Sequence, residues 1–195
     1  MTVTQPAGNP WTPPPLASGG PARWIGANLA VALLYYLMAV VVSRFFASYG
    51  LFPAPIWLPT SVAAIAGMIG GIRMLPGIFL GSFAANHILF AAAMHISIII
   101  SLTNAVGPVV AATLLRRLRP GRGLFTSFAG VVAFIACMTG LSPAISALGG
   151  AVALTIGKPV DPTAFYQILV TWWLTDSGGT LYLTPALSVS HQVTS

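Results

Sequence analysis

Residues 74–115 form one apolar stretch that contains no Asp, Glu, Lys or Arg, and this stretch limits the fold more than any other feature of the sequence. As a single helix it would be about 63 Å long at about 1.5 Å per residue, whereas the hydrocarbon core of a bilayer is about 30 Å thick. The stretch must therefore fold back on itself. We predict a turn near residues 93–96 with one membrane span on each side, which makes the chain a multi-span helical protein.

The composition extends this conclusion to the whole chain. Hydrophobic residues make up 56% of the sequence, charged residues only 5%, and the mean hydropathy is +0.89. Soluble domains carry about 25% charged residues, because a surface in water needs them. The predicted fold class is an all-α integral membrane protein, a compact bundle of about six transmembrane helices, with seven or eight as the alternative. The predicted spans are 24–47, 56–70, 74–93, 96–115, 124–157 and 165–189.

Two regions are expected along the chain. Residues 1–22 are rich in Pro and Gly and should form a flexible cytoplasmic tail, and residues 23–190 should form a polytopic transmembrane helical domain. The fifth span is broken by Gly140 and Pro143 and is too long for one straight helix. It is either one crossing with a broken outer extension or a pair of short helices, and the residues do not decide between these two.

The basic residues report the orientation in the membrane. Arg73 and the cluster at 116–122 lie in short loops between spans, and such loops stay in the cytoplasm. Six crossings then leave both termini in the cytoplasm and Lys158 and Asp161 outside, whereas two crossings in the fifth region would put Ser195 outside. The predicted location is the bacterial inner membrane, with lipids as partners. No aromatic residues interleave with the basic cluster, so no nucleic-acid partner is predicted.

The most informative polar residue is Asp176, which lies about halfway along the sixth span. An unpaired carboxylate at that depth costs about 3 kcal/mol or more on insertion scales. Trp172 and Thr180 lie four residues to either side and therefore share its helical face. Rise per residue places polar residues of three other spans near the same depth. The candidate ligand-binding residues are Asp176, Trp172, Trp173, Thr180, Asn86, Asn104, Trp57 and Thr60.

Two interpretations of this group stay open. It is either a site for a small polar ligand, cation or proton, reached from outside with Asp176 as the charged anchor, or a polar core that fixes the helix register. No combination of nucleophile, base and oxyanion hole is visible, so no catalytic residue and no enzyme is predicted. His87 and His95 share no standard ligand spacing and lack partner carboxylates or cysteines, so no metal and no other cofactor is predicted.

Three segments resemble a known family. The stretch WLPTSVAAIAGMIGGIRMLPGIFLGSFAAN at 57–86 has the Trp-Pro start, the Gly-basic turn and the Pro-Gly span of the membrane-associated sensor domain of the first MASE type. The stretch NAVGPVVAATLLRRL at 104–118 is similar to the next span of that family, and WWLTDSGGTLYLTPAL at 172–187 is similar to its last span. The three follow one another in the family's order.

The resemblance implies an integral membrane sensory module, usually fused at its C-terminal end to a histidine kinase, a diguanylate cyclase or a related cytoplasmic output domain. The sequence ends a few residues after the last span, so we expect either a fragment of a longer protein or action through another membrane subunit. The residues that match the family's motifs are Asp176, Trp173, Gly179, Pro185, Asn86 and Asn104.

The predicted function is therefore a membrane-embedded sensory or regulatory module. It would bind a small ligand or ion in a cavity in the outer half of the membrane and signal to a protein partner, either cytoplasmic or in the membrane. Two other classes of protein stay open. One is the substrate-binding subunit of an energy-coupling importer, and the other is a non-catalytic accessory subunit of a larger membrane complex.

Overall fold

The computed structural model describes residues 20–51, 54–118, 124–125, 127–156 and 161–193, with the side chains of all of these except 183 and 185–193. Every regular element in these ranges is helical, as predicted. The helices are α1 (Pro21–Ser48), α2 (Pro59–Gly70), α3 (Leu75–Ala84), α4 (Met94–Leu118), α5 (Phe128–Phe134), α6 (Ser142–Thr155) and α7 (Pro162–Val193). A 3-10 turn at Gly71–Met74 joins α2 to α3, and π-helical segments follow α3 at Ala85–Leu89 and α5 at Ile135–Leu141. Of the tail predicted at 1–22, residues 1–19 lie outside the described residues.

Prolines mark the start of several helices. Helices α1, α2, α3 and α6 each carry a proline in the first turn. The first N–H groups of a helix have no partner within it, so the missing N–H of proline is tolerated there, and the proline φ is already helical. These prolines therefore divide apolar runs that the hydropathy pattern alone presents as continuous.

Helices α2 and α3 form a hairpin that turns at Gly71. This residue has φ 57° and ψ −136°, a conformation that glycine adopts without the steric penalty of a side chain. A Cβ added there would also lie 2.9 Å from Nη2 of Arg116. The two ends of the hairpin meet, since the ring centroids of Trp57 and Phe90 are 5.9 Å apart. The segment from 59 to 89 thus runs across the bundle and back.

In the described part of the chain, four helical segments are long and apolar enough to cross a membrane by length and composition. The second of them contains the whole hairpin of α2 and α3. This count does not establish the predicted number of about six spans. The four segments are Pro21–Ser48, Pro59–Leu89, Met94–Leu118 and Phe128–Thr155.

The turn between α3 and α4 occupies residues 90–93, three residues before the position predicted from the sequence. Asn86 and His87, in the π segment, hold the chain there through Ala92. The carbonyl of Asn86 accepts a hydrogen bond from the Ala92 N–H at 3.0 Å, and Nδ1 of His87 lies 3.0 Å from the Ala92 carbonyl oxygen. Ala91 has φ 51°, in the left-handed region, which completes the reversal.

The break predicted in the fifth span is a π-helical segment whose carbonyls are paired by α7. The ring of Pro143 prevents the usual helical hydrogen bond to the carbonyl of Thr139. That carbonyl accepts instead from Oγ of Ser177 at 2.7 Å. The neighbouring carbonyl of Gly140 accepts from Nε1 of Trp173 at 3.0 Å. Side chains of α7 thus stabilise the irregular turn, and α5 and α6 continue as one segment.

Two buried clusters of mostly small side chains hold the helices together. The first joins α1, α2, α3 and α4 around Tyr35, and the second joins α2, α4 and the α5 segment around Phe134. Close approach depends on glycine between α1 and α3, where a Cβ added at Gly81 would lie 2.8 Å from the carbonyl oxygen of Ala32. Helices in lipid associate largely through such close packing. At the edge of the first cluster, the Tyr35 hydroxyl contacts the side-chain amide of Asn104.

Candidate functional site

A cavity of about 440 Å³ lies at the end of the bundle opposite Arg73 and Arg116. Its walls come from the segment that leads into α2, the π segment and turn after α3, the middle of α4, the end of α6 and the first half of α7. The lining residues are Ala54, Trp57, Asn86, Phe90, Asn104, Leu154, Gln167, Ile168, Thr171, Trp172, Thr175 and Asp176.

Five of the eight residues proposed from the sequence line this cavity: Trp57, Asn86, Asn104, Trp172 and Asp176. They come from four separate parts of the chain, so the fold brings together residues that are up to about 120 positions apart in the sequence. The cavity is therefore close to the group that helix periodicity and depth predicted.

The other three predicted residues lie elsewhere. The hydroxyl of Thr60 donates to the carbonyl oxygens of Trp57 at 2.6 Å and Asp176 at 3.1 Å, and the hydroxyl of Thr180 donates to the same Asp176 carbonyl at 3.0 Å. Trp173 points away from the cavity toward the π segment at Ile135–Leu141. These three residues support α7 and do not line the cavity.

Asp176 is the feature of the cavity that most needs explanation. The residue is only 1% exposed, and neither carboxylate oxygen has a hydrogen-bond partner among the described residues. Trp172, one turn earlier on α7, is the side chain that interacts with the carboxyl group, without reaching hydrogen-bond geometry. A buried carboxylate without a partner is strongly unfavourable, by several kcal/mol in a protein interior. Protonation of the carboxyl group removes this penalty, and a cation bound beside it would offset it.

A second polar cluster lies beside Asp176 and joins three helices. Nδ2 of Asn104 donates to Oγ of Ser82 at 2.9 Å and lies 3.3 Å from the Tyr35 hydroxyl oxygen. Nδ2 of Asn86 donates to the Ser82 carbonyl at 2.9 Å. Oδ1 of Asn104 has no partner within the described ranges. The amide donors of this cluster are thus used within the protein, while one buried acceptor at the cavity is left over.

The segment that leads into α2 is joined directly to the backbone of α7. The N–H of Trp57 donates to the Thr175 carbonyl at 3.0 Å, and Oγ of Ser61 donates to the Gly179 carbonyl. Gly179 has no side chain, and this permits the approach, because a Cβ there would overlap the carbonyl oxygen of Trp57. Trp57 therefore lines the cavity with its ring and contacts α7 with its backbone. We call residues 57–61 the α2 head.

Three polar residues of the cavity wall were not predicted from the sequence: Gln167, Thr171 and Thr175. They follow one another at intervals of four on α7, and they lie one position before Ile168, Trp172 and Asp176, which repeat in the same way. Side chains at this spacing share one helical face. The same four-residue spacing on the strip of α7 beside the Asp176 face is the sequence signal that identifies them.

Comparison with known proteins adds three findings. The MASE1 family profile matches residues 27–190. The protein named "Probable diguanylate cyclase DgcE" from Escherichia coli (strain K12) is 31% identical over 159 residues, which are 80% of this chain and 13% of that relative. The chain thus spans a small part of the curated relative that it matches. No solved structure matches the chain.

Proposed function

Because the chain belongs to the MASE1 family of membrane sensory domains, we propose that it binds a small ligand or ion in the cavity beside Asp176 and passes the signal to a protein partner. The domain is a sensory one and is itself not catalytic. The single observation that carries the proposal is Asp176, a carboxylate that is 1% exposed, unpaired among the described residues and part of the cavity wall. Ionisable groups inside membrane segments most often serve function, because they are expensive to keep there.

The α2 head supplies a route from the cavity to α7. A ligand that contacts the Trp57 ring and Asp176 binds on both sides of the contact between the α2 head and α7. It can favour one of two packings only if it binds them with different affinity. A shift of the α2 head changes the hydrogen bonds to the carbonyls of Thr175 and Asp176. The signal then travels along α7 toward its C-terminal end.

The output is a signalling domain on the cytoplasmic side, of the diguanylate cyclase kind or another. Support comes from the relative, a probable diguanylate cyclase, of which this chain matches only 13%. The cyclase activity of that protein belongs to a part outside the match. The cavity also favours a sensory domain over an accessory packing subunit, because such a subunit needs no ligand-binding pocket of its own.

The chain crosses a bacterial inner membrane six times, with both termini in the cytoplasm. The proposed passes are α1, the two short arms of the hairpin of α2 and α3, α4, the α5–α6 segment and α7, of which the hairpin forms one of the four apolar segments and α7 lies outside them. The positive charges of Arg73 and Arg116 lie at one end of the bundle, where Arg73 stacks over the Trp24 ring at 4.9 Å. Positive residues in short loops stay in the cytoplasm. The cavity, at the opposite end, then faces the outside.

Thiol labelling tests this topology. In a Cys137→Ser background, which removes the one native thiol, a cysteine is placed at Asp161 or at Ile72, both exposed. A membrane-impermeant maleimide added to intact spheroplasts should label the cysteine at 161 and not the one at 72. Labelling of position 72, or of both positions, would contradict the six-crossing arrangement.

Ligand-induced stabilisation tests the binding proposal. The protein is purified in detergent and melted with a panel of small metabolites and ions, beside Asp176→Asn and the control Asp161→Asn. A ligand at 100 times its Kd stabilises the folded state by about 2.7 kcal/mol. We expect at least one compound to stabilise the parent and Asp161→Asn but not Asp176→Asn. If no compound does so and Asp176→Asn is as stable as the parent, the binding site is refuted.

A further inference from the structure

We propose that the cavity binds the protonated primary amine of a small molecule with an apolar body. This inference rests on the proposed function and specifies its ligand class. Asp176 is the charged residue of the cavity wall, and no Lys or Arg is among the described lining residues. The net charge at the wall is therefore negative when the carboxylate is ionised, which favours a cation and disfavours anions.

On the cavity wall, the buried side-chain atoms without a hydrogen-bond partner are all acceptors. Within the described part of the chain, both oxygens of Asp176 and Oδ1 of Asn104 are buried without a partner. Both residues line the same cavity. A primary ammonium group carries three N–H donors and no acceptor. Its donors match the number and the kind of the free atoms, and each charge-assisted hydrogen bond is stronger than a neutral one.

The rest of the wall is aromatic and aliphatic. Trp57 and Phe90 stand 5.9 Å apart between ring centroids with 44° between their planes, and Ile168 and Leu154 add aliphatic surface. Aromatic faces attract cations within about 6 Å and also pack against apolar groups. A ligand with its ammonium group beside Asp176 and an apolar remainder against this wall is an amphipathic amine.

The size of the cavity fits an organic molecule better than a bare ion. Its volume of about 440 Å³ is far larger than the roughly 30 Å³ that one water molecule takes up in the liquid. Pockets for organic ligands measure about 300–1,000 Å³. The ammonium group thus carries a carbon body that reaches the Trp57 and Phe90 rings.

The test uses four probes with one ring and different head groups. Benzylamine carries the proposed ammonium group at neutral pH, benzyl alcohol is its neutral counterpart, benzoate is anionic, and trimethylbenzylammonium keeps the charge but has no N–H. Each is titrated into the full chain in lipid nanodiscs, and binding is measured by calorimetry and by the shift in melting temperature. The same titrations are made on Asp176→Asn and on the control Asp161→Asn, which changes an exposed acid at the start of α7.

We expect benzylamine to bind the parent and Asp161→Asn with about tenfold or better preference over the other three probes, and to bind Asp176→Asn about tenfold more weakly. Benzyl alcohol or benzoate binding as tightly as benzylamine would overturn the ammonium class while leaving a ligand-binding cavity. Equal binding of trimethylbenzylammonium would overturn the role of the N–H donors. Binding of none of the four would overturn the class as well, and the wider metabolite panel then decides separately whether the cavity binds any ligand.

Discussion

Replacing Gly179 by alanine tests the contact between the α2 head and α7. The added Cβ would overlap the carbonyl oxygen of Trp57 and lie 2.6 Å from its carbonyl carbon. Ordinary carbon contacts are about 3.5–4.0 Å, so the backbone of the α2 head must move by about 1 Å. The Thr60 hydroxyl oxygen also obstructs it, at 2.5 Å, but the two Trp57 atoms belong to the backbone, so no rotation of a side chain can make enough room.

The expected loss of stability follows from three contributions. Overpacking of this kind costs about 2 kcal/mol, and loss of the hydrogen bonds from the Trp57 N–H and the Ser61 hydroxyl costs about 1 kcal/mol each. Alanine returns about 1 kcal/mol through its higher helix propensity. The net effect of Gly179→Ala is therefore a destabilisation of about 3 kcal/mol, which lowers the melting temperature by about 6 to 12 °C for a chain of this size.

The neighbouring glycine supplies a matched control. A Cβ at Gly178 would meet Ile56 Cγ1 at 3.8 Å, an ordinary van der Waals distance. Gly178→Ala should therefore be as stable as the parent or up to about 1 kcal/mol more stable. Both variants are melted in the same detergent and unfolded by titration with denaturing detergent. If Gly179→Ala is as stable as Gly178→Ala, the close contact between the α2 head and α7 is wrong.

Two further substitutions test the polar contacts. Thr60→Val keeps the shape of the side chain but removes the donor to the carbonyl of Asp176, so unfolding should become easier by about 1 kcal/mol; unchanged stability would mean that this bond contributes nothing. Asn104→Leu removes the donors to Ser82 and Tyr35 and should lower the free energy of unfolding by about 1–3 kcal/mol in the same assay. A more stable variant would show that the polar cluster destabilises the fold.

The sequence predicts the helical membrane character because lipid requires apolar spans, and it predicts the position of Asp176 and Trp172 because their spacing fixes one face of a helix. It does not predict the roles of Thr60 and Thr180. Hydroxyls in helices often bond to a backbone carbonyl, and whether they do so depends on which helix packs nearby. Trp173 shows the same limit. It follows the cavity residue Trp172 by one position, so its side chain lies about 100° further around α7. There it contacts the π segment and not the cavity.

The sequence pattern does not predict the irregular helical segments either. The π segment at Ile135–Leu141 is stabilised because α7 supplies donors to the carbonyls of Thr139 and Gly140. Such segments arise where a side chain from elsewhere inserts into the helical hydrogen bonds. The pairing is tertiary, so periodicity and composition of the segment cannot reveal it. Gly140 and Pro143 predict the position of the break but not that the segment is π-helical.

The output of a fusion protein tests directly whether the cavity beside Asp176 serves sensing. Residues 1–195 are joined to a diguanylate cyclase domain, and cyclic di-GMP is measured in cells at equal membrane levels of the parent, Asp176→Asn and Asp161→Asn fusions. Coupling between a sensory site and its output is typically worth about 1–3 kcal/mol, or about fivefold and more. We expect a change of about fivefold or more, in either direction, for Asp176→Asn, and the parent's output for Asp161→Asn. An Asp176→Asn fusion with the parent's output would contradict a sensory role for the cavity.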